Sequence, residues 1–275
     1  MVERRELEEF DEIMKYIETK SCYIGPEISP EQFISEHFFL FLVKGSITGY
    51  DGNKKYELKA GDSCIVKKNR LARYHKQTHD GGIEKVVVIF DKAFLKSFEL
   101  KHQGKFSVAD NQNAFILLKR DGLINSFINS LAPYYGNNGK MDEVFSNIKR
   151  EELLLILLQQ DPELYNIFFD FGTPEKISLE EFMNRNYKFN VSIERFAYLT
   201  GRSLSAFKRD FKTIFQDTPS RWLVKRRLEE AYFLMERKGK KPSDIYIDLG
   251  FEDLSHFSFA FKKKYGLVPS LLSKS

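Results

Sequence analysis

Histidines, cysteines and clustered carboxylates are the side chains with which a protein binds metal or moves protons, and in this sequence they do not converge. A divalent ion wants three or four convergent N/O donors; a small β-barrel that holds one uses two histidines two residues apart, a glutamate soon after and one later histidine. His37, His75 and His79 are scattered and include no such pair. His75 falls where the later ligand would stand and, alone, reads as a satisfied barrel residue. Cys22 and Cys64 have neither metal-site spacing nor a disulfide framework around them, so they read as reduced, buried thiols. The Glu-Glu pairs at 8–9, 151–152 and 180–181 read as solvated helix faces, and G-x-x-x-x-G-K-[ST], G-x-S-x-G and H-E-x-x-H are all absent. The expectation is of no catalytic residue, no cofactor and no metal, and hence not of an enzyme.

What remains is cationic chemistry. From Ser178 onward 19 Lys and Arg stand against 12 Asp and Glu, a balance of +7, whereas the preceding 177 residues carry −3. Such a surplus suits phosphate binding and equally suits solvated helix faces, so its arrangement must decide. Leu199, Leu204, Ser205, Phe207, Phe211, Lys212, Pro219 and Ser220 recur fifty residues later as Leu249, Leu254, Ser255, Phe257, Phe261, Lys262, Pro269 and Ser270, eight identities in 22 positions. Each copy reads as helix, tight turn, helix. Ser192 caps IERFAYLT, Gly201 breaks it and SLSAFKRDFKTIF follows; SDIYIDL runs to Gly250 and EDLSHFSFAFKKKY follows. Two short helices joined through a glycine make a helix-turn-helix.

A helical wheel separates the faces. With Phe257 at zero, Phe261 and Tyr265 fall at about 40° and 80° and form a core stripe, while Ser255, His256, Phe259, Lys262 and Lys263 lie between about 140° and 260°. The same construction in the first copy buries Phe207, Phe211, Ile214 and Phe215 and turns out Ser205, Ala206, Arg209, Lys212 and Gln216. Outward faces that are small, polar and basic suit a helix in a major groove whose lysines meet phosphates. Between the copies SRWLVKRRLEEAYFLM, Ser220–Met235, has Val224, Leu228, Ala231 and Met235 at helical spacing. It predicts a strut roughly 25 Å long, against the roughly 34 Å of one DNA turn.

The first half is patterned differently. Residues 37 to 90 alternate β-branched and aromatic runs with turn signals, Tyr50-Asp51-Gly52-Asn53 and Gly61-Asp62, which predicts a small antiparallel barrel or sandwich. Ile124, Phe127, Ile128 and Leu131 share one face of a helix from about Gly122 to Pro133. A second helix from about Met141 to Gln160 contains LLLILL, Leu153 to Leu158, apolar all round, which must be covered by its own core or by a partner. Asp161-Pro162 ends it, and PELYNIFFDF forms a shorter one. GTPEK, Gly172 to Lys176, is the boundary at which mixed β/α patterning gives way to helical periodicity. The fold class is therefore α+β, with domains expected at 1–171 and 172–275, the helix-turn-helix units at about 192–215 and 243–265, and the linker helix at about 220–236. With 42% apolar residues the chain can bury a core; no apolar run spans a bilayer and the start is too charged for a signal peptide, so a cytoplasmic protein is expected.

The residues SAFKRDFK, RRLEEA and DLGFEDLSHFSFAFKKKYGLVPS resemble the DNA-binding domain of the AraC/XylS family of transcription regulators, over about the last hundred residues. The resemblance implies two helix-turn-helix units reading consecutive major-groove segments. Carried over position by position, it assigns base reading to Ser205, Ala206, Lys208 and Arg209 in the first unit and Leu254, Ser255, His256 and Phe259 in the second. Lys212, Lys262 and Lys263 are expected to hold phosphates. Phe259 stands where the family often has a basic or polar reader, implying contact with a thymine methyl or weak reading. Tyr246 replaces a small alanine, Pro242 an aliphatic residue and Gln216 a glycine. The run FLVKGSITGYDGNKKYELKAGDSCIVKKNRLARYHK is similar to the cupin-like barrel that such proteins use to sense an effector or dimerise. The implied partners are double-stranded DNA, a small-molecule effector, RNA polymerase and a second copy of the chain through the N-terminal domain, with no membrane. The rival readings are a regulator controlled by a protein partner, a metal-dependent cupin enzyme with a helical appendage, and a nonspecific architectural DNA binder.

Overall fold

A run of eight residues with hardly a polar break, HFFLFLVK, forms the strand around which the first half is built. The computed structural model describes residues 22–24, 32–77, 83–102, 113–134 and 141–272. These fall into two units. One carries Ile34–Arg70 and Tyr74–Gly172; the other carries Thr173 onward with Gln32, Phe33 and Leu71–Arg73.

The strands are β1 Cys22–Ile24, β2 Phe33–Ile34, β3 His37–Lys44, β4 Ser46–Tyr50, β5 Lys55–Lys59, β6 Ser63–Val66, β7 Arg70–Leu71, β8 Arg73–Gln77, β9 Glu84–Phe90 and β10 Phe115–Leu117. A five-stranded sheet has the order β1-β9-β3-β6-β10, a three-stranded sheet β5-β4-β8 and a two-stranded one β2-β7. β3 is central and antiparallel to both neighbours, with Phe39 opposite Ile65 and Val88. Burial on both faces explains its continuous apolar sequence. Among the described residues of the five-stranded sheet, β1 runs parallel to its neighbour, β9, and the other pairs are antiparallel. Phe115 packs against Tyr56 and Tyr74 at ring separations of 4.7 and 5.6 Å, and a Cβ on Gly49 would meet its ring at 2.8 Å, so the smaller sheet lies close over β10. The α+β class is as expected. Among the described residues the strands form separate sheets rather than a closed barrel, and the three-residue strands β1 and β10 are too short to show an alternation that sequence reading could find.

The β4–β5 hairpin turns through Asp51–Lys54, where the Asp51 carboxylate accepts from the Asn53 and Lys54 amides at 3.0 and 2.8 Å and from the Tyr56 hydroxyl at 2.7 Å. Burial pushes this carboxyl up, but these donors together with the Ala114 amide outweigh it and hold it below the usual carboxylate range.

Four helices cover the other face of the large sheet: α1 Lys92–Lys101, α2 Gly122–Leu131, α3 Glu143–Gln160 and α4 Leu164–Phe168. Asp91, Asp121 and Asp142 cap the first three through side-chain oxygens. Ile124, Phe127, Ile128 and Leu131 are buried as their spacing predicts, and the chain leaves α2 through a 3-10 turn at Ala132–Tyr134. In α3 the LLLILL segment divides: Leu153, Leu154 and Leu157 are fully buried in the core with Phe39, Phe41 and Phe168, while Leu155 is 45% exposed. Arg150 anchors α3 to the sheet, donating from Nε to the Ile89 carbonyl at 2.8 Å and pairing with Asp91. His37 is buried against Phe168, its Nδ1 accepting from the Lys68 amide at 3.3 Å; burial holds its imidazole neutral, far below the usual histidine range. The side chain of His75 and the whole of His79 lie outside the described residues, as does the side chain of Cys22.

The second unit is helical: α5 Leu179–Asn186, α6 Ile193–Leu199, α7 Leu204–Phe215, α8 Pro219–Lys238, α9 Pro242–Ile245, α10 Leu254–Tyr265 and α11 Pro269–Leu272. α8 is longer at both ends than its apolar spacing predicts. Its 20 residues span about 30 Å at 1.5 Å per residue. SDIYIDL was expected to be helical to Gly250, but regular helix stops at Ile245 and turns carry the chain on. Tyr246, large where the family has alanine, is half-buried against the core formed by Leu228, Ala231, Ile245, Phe257 and Phe261.

Candidate nucleic-acid interface

The period of fifty is reproduced as geometry. α7 and α10 are each twelve residues long and start fifty residues apart. Ser203 and Asp253 cap them, accepting from the Ala206 and His256 amides at 3.3 and 2.6 Å. Both end in a left-handed residue. Gly266, with φ 76°, adopts this conformation freely, whereas Gln216, with φ 53°, does so against the Cβ clash that favours glycine there. Its Nε2 donates to the Thr213 carbonyl at 2.8 Å, which partly offsets that strain.

Inward faces hold the helices in place. In the first unit Phe207 and Phe211 are fully buried, and Trp222 from α8 meets Phe211 edge-on at 5.6 Å and lies tilted against Phe215 at 4.6 Å. Ile214, expected in this core, is 43% exposed: Trp222 covers the Phe211/Phe215 edge of the stripe and leaves the opposite edge open. In the second unit Phe257 packs on Phe251 and Phe261, and Phe261 on Tyr265. The turn of the first unit is set by Gly201, with φ 65°; a Cβ there would stand 2.4 Å from the Glu175 backbone. Arg202 braces it, donating to the carbonyls of Ile177 and Thr200 and pairing with Asp210 at 3.2 Å. The carboxyl of Asp210 is held low by Arg202 first and Arg209 second.

The outward faces carry the residues singled out from the sequence. Ser205, Lys208, Arg209 and Lys212 are exposed on α7, and Ala206 is half-buried. The Arg209 side chain is 76% exposed and makes one long contact, 3.3 Å, with Asp210. On α10 Ser255, His256, Lys262 and Lys263 are exposed, Leu254 is 39% and Phe259 71% exposed. Lys264 differs from its two neighbours: it reaches back to Glu229 Oε1 and the Lys225 carbonyl, both at 3.1 Å, and belongs to the packing of α10 on α8. The arrangement can place two basic, polar helix faces against an acidic, hydrogen-bonding surface.

One organising residue escaped sequence reading. Arg227 of α8 is buried, and its guanidinium donates from Nε to the Tyr187 carbonyl at 2.7 Å, from Nη2 to Phe189 at 2.8 Å and from Nη1 to Gly250 at 2.7 Å. Burial pushes its pKa down to about 10. Gly250, with φ 86°, must lack a side chain, since a Cβ would meet the Lys188 carbonyl at 2.7 Å and the Arg227 guanidinium at 2.8 Å. One cation thus ties the linker helix to the segment before the first helix-turn-helix and to the turn of the second. In the string KRRLEEA nothing but the wheel position, about 40° from Ala231, separates Arg227 from Arg226.

Among the described residues no three His, Cys, Asp or Glu side chains cluster as a metal site would, and no helix is long and apolar enough to cross a membrane. Comparison with known proteins finds two family models. Residues 37–167 match the ExsA N-terminal regulatory domain and residues 196–275 match a helix-turn-helix domain. The virulence regulon transcriptional activator VirF of Yersinia enterocolitica is 22% identical over 245 residues, covering 86% of this chain and 88% of its own. The HTH-type transcriptional regulator ExsA of Pseudomonas aeruginosa is 26% identical over 125 residues, 45% of each chain. Among solved structures, ToxT of Vibrio cholerae bound to an unsaturated fatty acid has 17% identity and a TM-score of 0.42, covering 92% of both chains.

Proposed function

Because the chain belongs to the AraC/XylS family of transcription regulators and is a DNA-binding regulator, we propose that α7 and α10 enter successive major grooves of one operator, as readers carried by a DNA-binding domain at 172–275. The observation that carries this reading is the duplication in register: two helices of equal length, each capped by a side-chain oxygen, present Ser205 and Ser255, Arg209 and Phe259, and Lys212 and Lys262 at matching exposed stations. Arg209 reads guanine through O6 and N7, with Ser205, Ala206 and Lys208 beside it; Leu254, Ser255, His256 and Phe259 face the second groove. Lys212, Lys262 and Lys263 neutralise phosphates. The α8 strut, about 30 Å long, is close to the roughly 34 Å repeat of DNA. In vitro selection from random duplexes, followed by competition at fixed salt, tests the reading. A preference of at least about a thousandfold for the selected sequence is expected, and equal affinity for random DNA would mean an architectural binder.

The domain at 1–171 regulates this activity in our reading, without catalysis, in a cytoplasmic protein. Its match to a regulatory-domain model supports that role, and three of the relatives matched over most of their length are named transcriptional activators, which supports activation as the outcome, exerted through RNA polymerase. On α3 Val144, Ile148 and Leu155 are 65, 55 and 45% exposed at spacings of four and seven, an apolar stripe interrupted between Ile148 and Leu155 by Glu151 and Glu152. That stripe supports self-association, since large apolar groups in a row on one helix face favour burial against a copy. A sedimentation coefficient that stays monomeric at every concentration would remove the homodimer. A small-molecule effector is expected to raise the melting temperature of the whole chain, and a metabolite panel without effect would favour a protein signal instead.

A further inference from the structure

The two recognition helices agree at both ends of their outward faces and differ in the middle. Ser205 and Ser255 open them, Lys212 and Lys262 close them, and all four are exposed. Between, at stations fifty residues apart, stand Arg209, its side chain 76% exposed, and Phe259, 71% exposed. We infer that the two helices read chemically different half-sites, guanine through Arg209 and thymine, by its 5-methyl group, through Phe259. The inference rests on the DNA-binding reading above and adds to it the class of base that the second helix requires.

The chemistry follows from what a phenyl ring lacks. It has no donor for guanine or thymine oxygens and no acceptor for the cytosine or adenine amino groups, and the thymine methyl is the apolar group that a base pair presents in the major groove. Packing gives the ring no other employment. Phe257 and Phe261, two residues to either side, are fully buried and complete the core, and Phe259 points from the opposite face. Its surroundings also argue for a nucleic acid over a protein partner. A docking aromatic sits within a patch that excludes water, whereas Phe259 has Ser255 and His256 one turn before it and Lys262 and Lys263 one turn after, all exposed. A single apolar group between a hydroxyl and two cations matches a methyl lying between rows of phosphates. A single chain would then bind an asymmetric site, with the guanine-bearing and thymine-bearing halves in fixed order.

Replacing thymine by deoxyuridine removes the methyl and leaves every hydrogen-bonding edge intact, so it isolates this contact. The full chain is titrated at fixed salt against the selected operator with each thymine replaced in turn, and the Phe259→Ala chain is titrated against the same set. One or two replacements in the second half-site should weaken wild-type binding about fourfold each, the equilibrium equivalent of one buried methyl-sized group. In Phe259→Ala those same replacements should have no effect, with the melting temperature unchanged. Neutral replacements throughout the second half-site, or equal losses in both proteins, overturn the inference while leaving sequence-specific binding in place. A chain that prefers no sequence at all overturns the DNA-reading proposal, and this inference with it.

Discussion

Three backbone carbonyls, those of Tyr187, Phe189 and Gly250, converge on the Arg227 guanidinium and so join three separate segments of the second unit. Arg227→Lys keeps the charge but cannot match the fork, leaving at least one buried carbonyl without a donor at roughly 1–3 kcal/mol. Arg227→Met leaves all three. Chemical denaturation should show a loss of about 2 kcal/mol for the first and more for the second. Arg209→Ala should behave in the opposite way. With its side chain in solvent, stability should stay within about 0.5 kcal/mol of wild type while roughly 1–3 kcal/mol of discrimination disappears at one operator position. An unchanged preference at every position would refute its role. These two arginines show where sequence reading runs out. The outward place of Arg209 follows from the helical period, because periodicity reports which way a side chain points. The role of Arg227 does not, because its partners are carbonyls far away in sequence that only the folded chain brings together.

At the level of elements, repetition was the strongest signal in the sequence. It fixes the paired helices to within two residues, since their aromatic stripes and the prolines that open the next helix recur together. Where the copies part, local physics decides. Gln216 takes a left-handed conformation that Gly266 takes without cost, so Gln216→Gly should raise the stability of the first unit by about 1 kcal/mol, less whatever its Thr213 contact contributes. A decrease on thermal unfolding would mean that the side-chain bond outweighs the strain. The end of α9 at Ile245 and the exposure of Ile214 were not legible, because both depend on neighbours from α8 that a helical wheel does not contain. In the first unit, β1 and β10 were missed for brevity alone.

For the molecule as a whole, the two halves should respond to solution conditions differently. The second carries the positive balance, so operator affinity should fall steeply with salt, by a slope of about −0.9 for each phosphate neutralised. The first is sensitive to acid. Asp51 has its pKa lowered by the donors of its own hairpin, so the stability it confers is fully present above the unfolded value of about 3.9 and is lost as pH falls through the lower folded value. Melting temperatures recorded from pH 7 down to 3 should drop most at the acid end, and Asp51→Asn should flatten that drop; an unaltered profile would exclude the hairpin as its source.

The guanidinium of Arg227 also makes a ruler. By clamping the linker helix to the turn of one reader and to the segment leading into the other, it removes the hinge that would let the two helices follow a stretched site. DNA turns by about 35° for every added base pair. An operator lengthened by one pair between its halves should therefore bind the wild-type chain as if one half were missing, and a five-pair insertion, which puts the second half on the far side of the duplex, should do no worse. In Arg227→Lys, if it folds, some tolerance for the one-pair insertion should return. The distance between half-sites would then be enforced by a buried charge rather than by the length of a helix.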